Sequence, residues 1–147
     1  MPPRFMYLKN MGSPTRWDVD PYLDYLSDIR ATLPSDLQDL TTPDRYHLPS
    51  MSARSMWHAG FSEIQVQSAS IFLAARNDHG TRRFEFRYSG VLKVQTSYQR
   101  LRAMPSIVVQ ELVRLRNGVL RHSFSHLGGD ITTIHASSIV FSDRPLN

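Results

Sequence analysis

The chain has 147 residues, enough for one domain over residues 1–147 with a core that needs no cross-links. It contains no cysteine, which excludes disulfides, cysteine-based zinc sites and thiol nucleophiles. No stretch reaches the ~20 apolar residues of a membrane span, and the N-terminus lacks the apolar core of a secretory signal. These features predict a cytoplasmic protein without membrane contact.

The net charge of +4 is distributed unevenly along the chain. Residues 17–50 contain seven aspartates and two arginines, whereas residues 76–121 contain nine arginines and one lysine against three acidic residues. The two segments either neutralise each other within the fold or leave a basic surface for an acidic partner.

Residues 1–16 are predicted to form an N-terminal arm or strand, and residues 17–60 to be mainly helical. Asp20 as an N-cap and Pro21 at the first helical position predict a helix that ends at Pro34. The apolar face of this helix would carry Tyr22, Leu26, Ile29 and Leu33.

A second, short helix is predicted to extend through about Leu40, because Ser35 and Gln38 have the spacing of a capping box. Trp57 fits a core position where the helical part meets the sheet or, alternatively, a ligand-stacking position. Three further histidines have turn-like contexts and are expected to be exposed: His47, His58 and His79.

Between residues 61 and 142 apolar and polar residues alternate, which predicts an antiparallel sheet. The clearest strands are 61–67, 71–75, 83–88 and 92–96. Ser89-Gly90 marks either a bulge within one long strand or a turn. The predicted core face carries Ile64, Val66, Ile71, Leu73, Phe84, Phe86, Tyr88, Val109, Val113, Leu120 and Phe124.

Two glycine-containing turns set the predicted register of the last strands. Asn117-Gly118 is typical of a two-residue hairpin loop, which would place Glu111 opposite Phe124 and on the same face as His122. The same loop would oppose Arg114 to Arg121 on the other face. A second turn at Gly128-Gly129 would bring His122 opposite His135.

In this register Glu111, His122 and His135 are candidates for a ligand or metal site, with a carboxylate beside two imidazoles. His126 cannot share an ion with His122, because four residues along a strand span about 13 Å. The alternative is that the histidines are structural and that Glu111, on an apolar face, is a buried carboxylate paired with His122 or with an arginine.

Arginines follow the strands and are candidates for contact with a partner: Arg83, Arg87, Arg114, Arg116 and Arg121. Nucleic-acid binding is disfavoured, because Phe84, Phe86 and Tyr88 point away from Arg83 and Arg87 and cannot stack on bases beside them. A contact face for another protein, or a solvated face, fits better.

Three segments resemble small bacterial proteins grouped with polymorphic-toxin immunity proteins: Met56–Gly60 (MWHAG), Phe86–Val91 (FRYSGV) and Gln110–Phe124. In that group a helical part precedes a turn with a His-Asp-Ala-type motif, and a β-meander with an (L/F)xYxGV segment follows. MWHAG lacks the expected acid, and its His58 is displaced by one position. The resemblance spans roughly the last two thirds of the chain and implies an interaction protein rather than an enzyme, without carrying over any functional residue.

The predicted fold is α+β, with an N-terminal helical layer on a curved antiparallel β-meander of six to seven strands, either a half-barrel or a sandwich. The leading functional hypothesis is a non-enzymatic protein-binding module, in one form an immunity-type inhibitor, with no cofactor. It would contact its partner through the acidic N-terminal region or through the arginine-bearing face of the sheet. The alternative is a small-ligand or metal pocket, with or without enzymatic activity, that uses Glu111, His122 and His135. A homodimer is a further possibility, through an edge strand such as the one ending at Phe141.

Overall fold

The computed structural model describes residues 4–13, 16–42, 55–99 and 101–146. The N-terminal part contains β1 (Lys9–Ser13), β2 (Arg16–Asp18), α1 (Asp20–Ile29) and α2 (Ser35–Leu40). The remaining strands are β3 (Gly60–Gln67), β4 (Ser70–Arg76), β5 (Arg82–Gln95), β6 (Ile107–Arg114), β7 (Leu120–His126) and β8 (Ile131–Pro145). Short 3₁₀ turns lie at Arg30–Thr32 and Leu101–Ala103.

Six strands form one antiparallel sheet in the order β3-β4-β5-β8-β7-β6, and β1 and β2 form a separate two-stranded sheet. The α+β prediction is therefore confirmed. The sheet is not one meander, because β8 lies between β5 and β7 and the chain crosses from β5 to the far edge at β6. β8 lies within the strand order, but beyond Ala136 it pairs with β5 alone, so at Phe141 the strand is an edge as suggested, where the Phe141 amide donates to Asp36 Oδ2 at 2.7 Å.

The two edges of the sheet meet at one end. The amide of Ile107 donates to the carbonyl of Ala59 at 2.9 Å, and the amide of His58 donates to the carbonyl of Ile107 at 2.8 Å. Ile107 begins the edge strand β6, whereas residues 58 and 59 lead into the opposite edge strand β3. The sheet therefore curls without closing into a barrel.

The turn at Asn117-Gly118 differs from the predicted one. Leu115 accepts from the amide of Gly118 at 2.9 Å and donates to the carbonyl of Val119 at 2.8 Å, and Gly118 has φ +83°. This is a type I turn followed by a left-handed glycine, which leaves a three-residue loop instead of a two-residue one. Arg114 consequently pairs with Leu120 and Leu112 with His122.

The β7–β8 turn repeats the same geometry, with Gly129 at φ +91° and its amide donating to the carbonyl of His126 at 2.8 Å. His122 pairs with Ile134, and His135 pairs with Arg121. Both predicted registers were wrong by one residue, and a shift of one moves a side chain to the other face of the sheet.

The inner face of the sheet carries the main core. It includes the aromatic side chains of Phe84, Phe86, Tyr88 and Phe124, with α2 and the 3₁₀ turn at Leu101–Ala103 packed near it. Most of the predicted core face is buried as expected, but Val66 is 61% exposed because it lies near the end of the edge strand β3. Val109 and Val113 lie on the opposite, outer face, a consequence of the register shift.

The N-terminal arm and α1 pack on the outer face of β6, β7 and residues 131–136 of β8, which we call the covered half of the sheet. A second apolar cluster forms here from Phe5, Leu8, Tyr22 and Leu26, with Val109 and Ile131 from the sheet. β3, β4, residues 82–89 of β5 and residues 138–145 of β8 form the open half.

Side chains from α1 also close the free edge of β6. The Tyr22 hydroxyl accepts from the amide of Leu112 at 2.6 Å and donates to its carbonyl at 3.0 Å. The Tyr25 hydroxyl accepts from the amide of Arg114 at 2.7 Å. These contacts satisfy backbone groups that a neighbouring strand would otherwise take.

Local features depart slightly from the sequence-based expectations. α1 begins at Asp20 with Val19 as its N-cap, and neither α1 nor α2 has a side-chain cap. Ser89-Gly90 lies within one long strand, and the register shifts between Val91 and Lys93. None of the helices in the described ranges is long and apolar enough to cross a membrane.

Candidate functional site

Glu111 is a fully buried anchor for the N-terminal arm. Its Oε1 accepts from the amide of Met6 at 3.0 Å, and its Oε2 accepts from the amides of Tyr7 and Leu8 at 2.8 and 2.9 Å. Arg121 Nη1 lies 3.4 Å from Oε1. A buried carboxylate needs such donors, and here the chain itself supplies all of them.

Arg121 completes this anchor. Its side chain is mostly buried, and its Nη2 donates to the carbonyl of Arg4 while Nη1 faces Glu111. Burial lowers the pKa of Arg121 from its usual value, and the negative charge of Glu111 opposes that shift. The pair therefore joins β6 and β7 to the arm and does not offer a free cation to solvent.

His122 belongs to a buried network on the inner face. Its Nε2–H donates to Gln110 Oε1 at 2.8 Å, and the Tyr88 hydroxyl donates to its Nδ1 at 2.7 Å. The ring also packs against Phe124, with 4.4 Å between ring centroids. Burial lowers the pKa of His122 to about 3 and raises that of Tyr88 well above its ordinary value. Both residues are neutral at physiological pH, as fully bonded parts of the core.

His126 is held in the same manner. Its Nδ1–H donates to the carbonyl of Pro105 at 3.0 Å, and Thr132 Oγ1 donates to Nε2 at 2.9 Å. Burial is the main cause that lowers its pKa. His126 thus attaches the connection before β6 to the sheet.

His135 has a different environment from the other two. It is half-buried on the outer face, where its register partners are Arg121 and Lys93. Burial lowers its pKa, and the two neighbouring cations lower it further.

The structure does not bring the predicted trio together. Glu111 and His122 lie on opposite faces of the sheet, and both are sealed from solvent. His135 shares a face with Glu111 but pairs with Arg121. Within the described ranges no group of three or more histidine, aspartate or glutamate side chains is arranged to hold a metal ion.

The candidate arginines fall into two groups. Arg121 is engaged by the arm, and Arg114 donates to Thr32 Oγ1 at 2.5 Å and to the Thr32 carbonyl at 3.2 Å. The prediction that these two oppose each other was wrong, because Arg114 pairs with Leu120 and Arg121 with Val113. Arg116 is exposed in the β6–β7 turn.

Arg83 and Arg87 lie on the outer face of the open half, as predicted for one face of β5. Arg87 pairs with Phe72 on β4 and with Val140 on β8, forming a row across three strands. The Arg87 guanidinium lies 4.4 Å from the centre of the Phe72 ring. Arg87 is exposed, Val140 is 53% exposed and Phe72 is half-buried beneath the guanidinium, so this row presents cationic and aliphatic groups to solvent.

A second row consists of arginines. Arg76, Arg83 and Arg144 occupy directly paired positions on β4, β5 and β8. Like charges in such positions repel, and carboxylates relieve the repulsion. Glu63 Oε2 lies 2.8 Å from Arg83 Nη2, and Glu85 Oε1 lies 3.5 Å from Arg83 Nε and 3.3 Å from Arg144 Nε.

We call this surface the open outer face, defined by Phe72, Arg76, Arg83, Glu85, Arg87, Val140 and Arg144. Sequence reasoning identified Arg83 and Arg87 but missed the contributions of β4 and β8. The alternation in those strands shows which residues share a face, but only the pairing of β8 with β5 places Val140 and Arg144 beside them.

Comparison of the chain with protein-family models, with curated proteins and with solved structures gives no match.

Proposed function

We propose that the protein is a non-enzymatic protein-binding module and that it contacts its partner through the open outer face. The observation that carries this proposal is the Phe72–Arg87–Val140 row, whose arginine stacks on the aromatic ring while Val140 is exposed. Arginine and aromatic side chains are enriched among the residues that dominate protein–protein affinity.

The charge of the open outer face favours an acidic partner. On the outer face of this half, four arginines stand against Glu63 and Glu85. Complementary charge raises association rates and excludes wrong partners. A protein surface with carboxylates spaced between apolar groups would match both rows.

Nucleic acid fits this face less well than protein does. The glutamates lie between the arginines and would oppose a continuous run of phosphates. Phe72 is covered by the Arg87 guanidinium and does not present a free ring for base stacking.

The narrower form of the proposal is an immunity-type inhibitor in a bacterial cytoplasm. Its support is the resemblance of FRYSGV to the corresponding segment of that group. This segment lies on β5 and supplies Arg87 to the open outer face.

The test is comparative capture from a lysate of the source cells. Tagged wild type is compared with the Arg76→Glu/Arg87→Glu double variant, with quantification by mass spectrometry. Arg116→Glu is the matched control, because Arg116 is exposed in the β6–β7 turn, outside this face. We expect one protein to be depleted at least about tenfold by the double variant and retained by the control, as for loss of a charged hot spot.

Retention of that protein by the double variant and its loss with Arg116→Glu would move the interface to the turn and overturn the proposal. Once the captured partner is identified and purified, titration with the purified chain gives the affinity of the complex directly. A fall in affinity with added salt is expected for a contact of this charge.

A further inference from the structure

We propose that a cleft at one end of the inner face binds a small carboxylate ligand with an apolar body. The cleft has a volume of about 470 Å³, within the range of small-molecule sites. It is lined by Val66, Val94, Thr96, Gln99, Leu101 and Arg102, with Ile71 also on its wall. This site is independent of the open outer face, which lies on the other side of the sheet.

The walls of the cleft are apolar and partly uncovered. Val66 is 61% exposed and Val94 is 38% exposed, although both lie on strands and line a concave surface. Ile71, the register partner of Val66, is buried. Covering such side chains removes apolar area from water, which is the main source of affinity for a hydrophobic ligand.

The polar side chains of the lining favour an anion. Among the described lining residues of the cleft, Arg102 is the only ionisable one; it is exposed, and the amide of Gln99 lines the same cleft. A guanidinium matches a carboxylate with two parallel hydrogen bonds. An apolar body with one carboxylate therefore complements both parts of the cleft.

The wall that carries Gln99 and Arg102 is fastened to the sheet. Thr96 Oγ1 lies 3.0 Å from Thr132 Oγ1 and accepts from the amide of Tyr98 at 3.2 Å. The Tyr98 hydroxyl donates to Asp130 Oδ2 at 3.2 Å, and its ring meets His126 edge-on. A wall fixed in this way leaves little ordering to be done when a ligand binds.

The experiment titrates the intact chain with decanoate below its micelle concentration, followed by calorimetry and by NMR shifts of the cleft residues. Decanol and decyltrimethylammonium serve as neutral and cationic ligands of the same chain length. We expect saturable 1:1 binding of decanoate, and binding at least about tenfold weaker for both other ligands, equivalent to one charge-assisted contact.

Three variants locate the site. Arg102→Gln should weaken decanoate binding about tenfold and bring it close to that of decanol. Val94→Glu should abolish binding by placing a carboxylate in the apolar wall. Lys93→Gln removes an exposed cation on the other face of β5, where Lys93 pairs with His135, and it should leave the affinity within about twofold, since an exposed charge that faces away from the cleft is screened.

Thermal unfolding of each variant without ligand shows that it is folded. Absence of saturable binding to folded wild type would overturn the proposal. Equal affinity for decanoate and decanol, with no effect of Arg102→Gln, would also overturn the assignment of the carboxylate to Arg102.

Discussion

The two halves of the six-stranded sheet differ in how far their polar residues are buried. In the covered half every residue of β7, from Leu120 to His126, is buried, although five of the seven are serine, histidine or arginine. In the open half, residues 82–89 of β5 alternate between the buried inner face and the more exposed outer face. The same kind of strand is thus enclosed on both faces in one half and on one face in the other.

The difference follows from what the N-terminal part covers. On the covered half, polar groups of the outer face are paired with the arm: Glu111 accepts from its amides, and Arg121 donates to the carbonyl of Arg4. On the open half, ionic side chains such as Arg83 and Glu85 pair with neighbours on the same face. The polar pairs of the covered half therefore hold parts of the chain together, whereas those of the open half lie on a surface that is free for contact.

The largest expected effect of a single change is at Glu111. Glu111→Ala removes the acceptor of three arm amides and leaves the Arg121 guanidinium buried without its anion. We expect a loss of about 3–5 kcal/mol in the free energy of unfolding, as for breaking a buried charge pair. Urea unfolding measures this loss, and limited proteolysis should cut the variant within the arm.

The matched change on the open half is Glu85→Ala. Glu85 is half-buried and bridges Arg83 to the exposed Arg144 on the outer face, and it is not enclosed as Glu111 is, so the loss should stay at about 1 kcal/mol. Equal losses for the two glutamates would contradict the distinction between the halves.

The second-largest expected effect is a dependence of the free energy of unfolding on pH, caused by His122. Its folded pKa of about 3 lies below the ordinary value of 6.5, so the unfolded chain binds the proton more tightly. The stability contributed by the neutral ring is present above about pH 6.5 and is lost as the pH falls towards 3. From pH 7 to pH 5 the loss from this residue should be about 2 kcal/mol.

Urea unfolding at pH 7, 6 and 5 tests this contribution. The quantity compared is the change in the free energy of unfolding with pH, not its absolute value. His122→Gln should flatten the profile by about 2 kcal/mol over that range. His79→Gln, at an exposed turn position of the open half, is the control for removing an imidazole. Parallel profiles for wild type and His122→Gln would show that the buried network does not govern acid sensitivity.

Local sequence signals predicted the elements well. Alternation placed strands at 61–67 and 71–75, where the structure has Gly60–Gln67 and Ser70–Arg76. The apolar spacing from Tyr22 predicted α1, and Tyr22 and Leu26 are indeed buried. These features depend on neighbours a few residues away, so the sequence contains the information directly.

The register and the site depended on distant contacts. Asn-Gly is compatible with a two-residue turn and with a type I turn that ends in a left-handed glycine, and only Gly118 has positive φ here. The observed register turns Glu111 towards the arm, whose amides lie 103 to 105 positions away in sequence. No local pattern links these groups, and so the predicted trio of Glu111, His122 and His135 could not be checked from the sequence.

The third effect concerns the closed edge of β6. Tyr22→Phe removes the partner of the buried Leu112 amide and carbonyl, and we expect a loss of about 1–2 kcal/mol. Tyr25→Phe is the control, since the Tyr25 hydroxyl accepts from the amide of the half-buried Arg114, where water can replace the hydroxyl. Hydrogen exchange should accelerate at Leu112 in the first variant; unchanged protection there would mean that the hydroxyl does not close the edge.

The smallest effect separates stability from binding on the open half. Arg87→Ala removes the guanidinium stacked on Phe72, an exposed contact that should contribute only about 0.5–1 kcal/mol to folding. The same change should weaken a partner complex by at least about tenfold if the row is an interface, because hot-spot arginines contribute more to binding than to folding. Measured together, a near-normal unfolding midpoint with lost capture would assign Arg87 to contact. A large loss of stability would instead show that Arg87 has a structural role, as Glu111 has in the covered half. Removing a residue that serves only as an interface contact on an open face leaves no buried group without its partner.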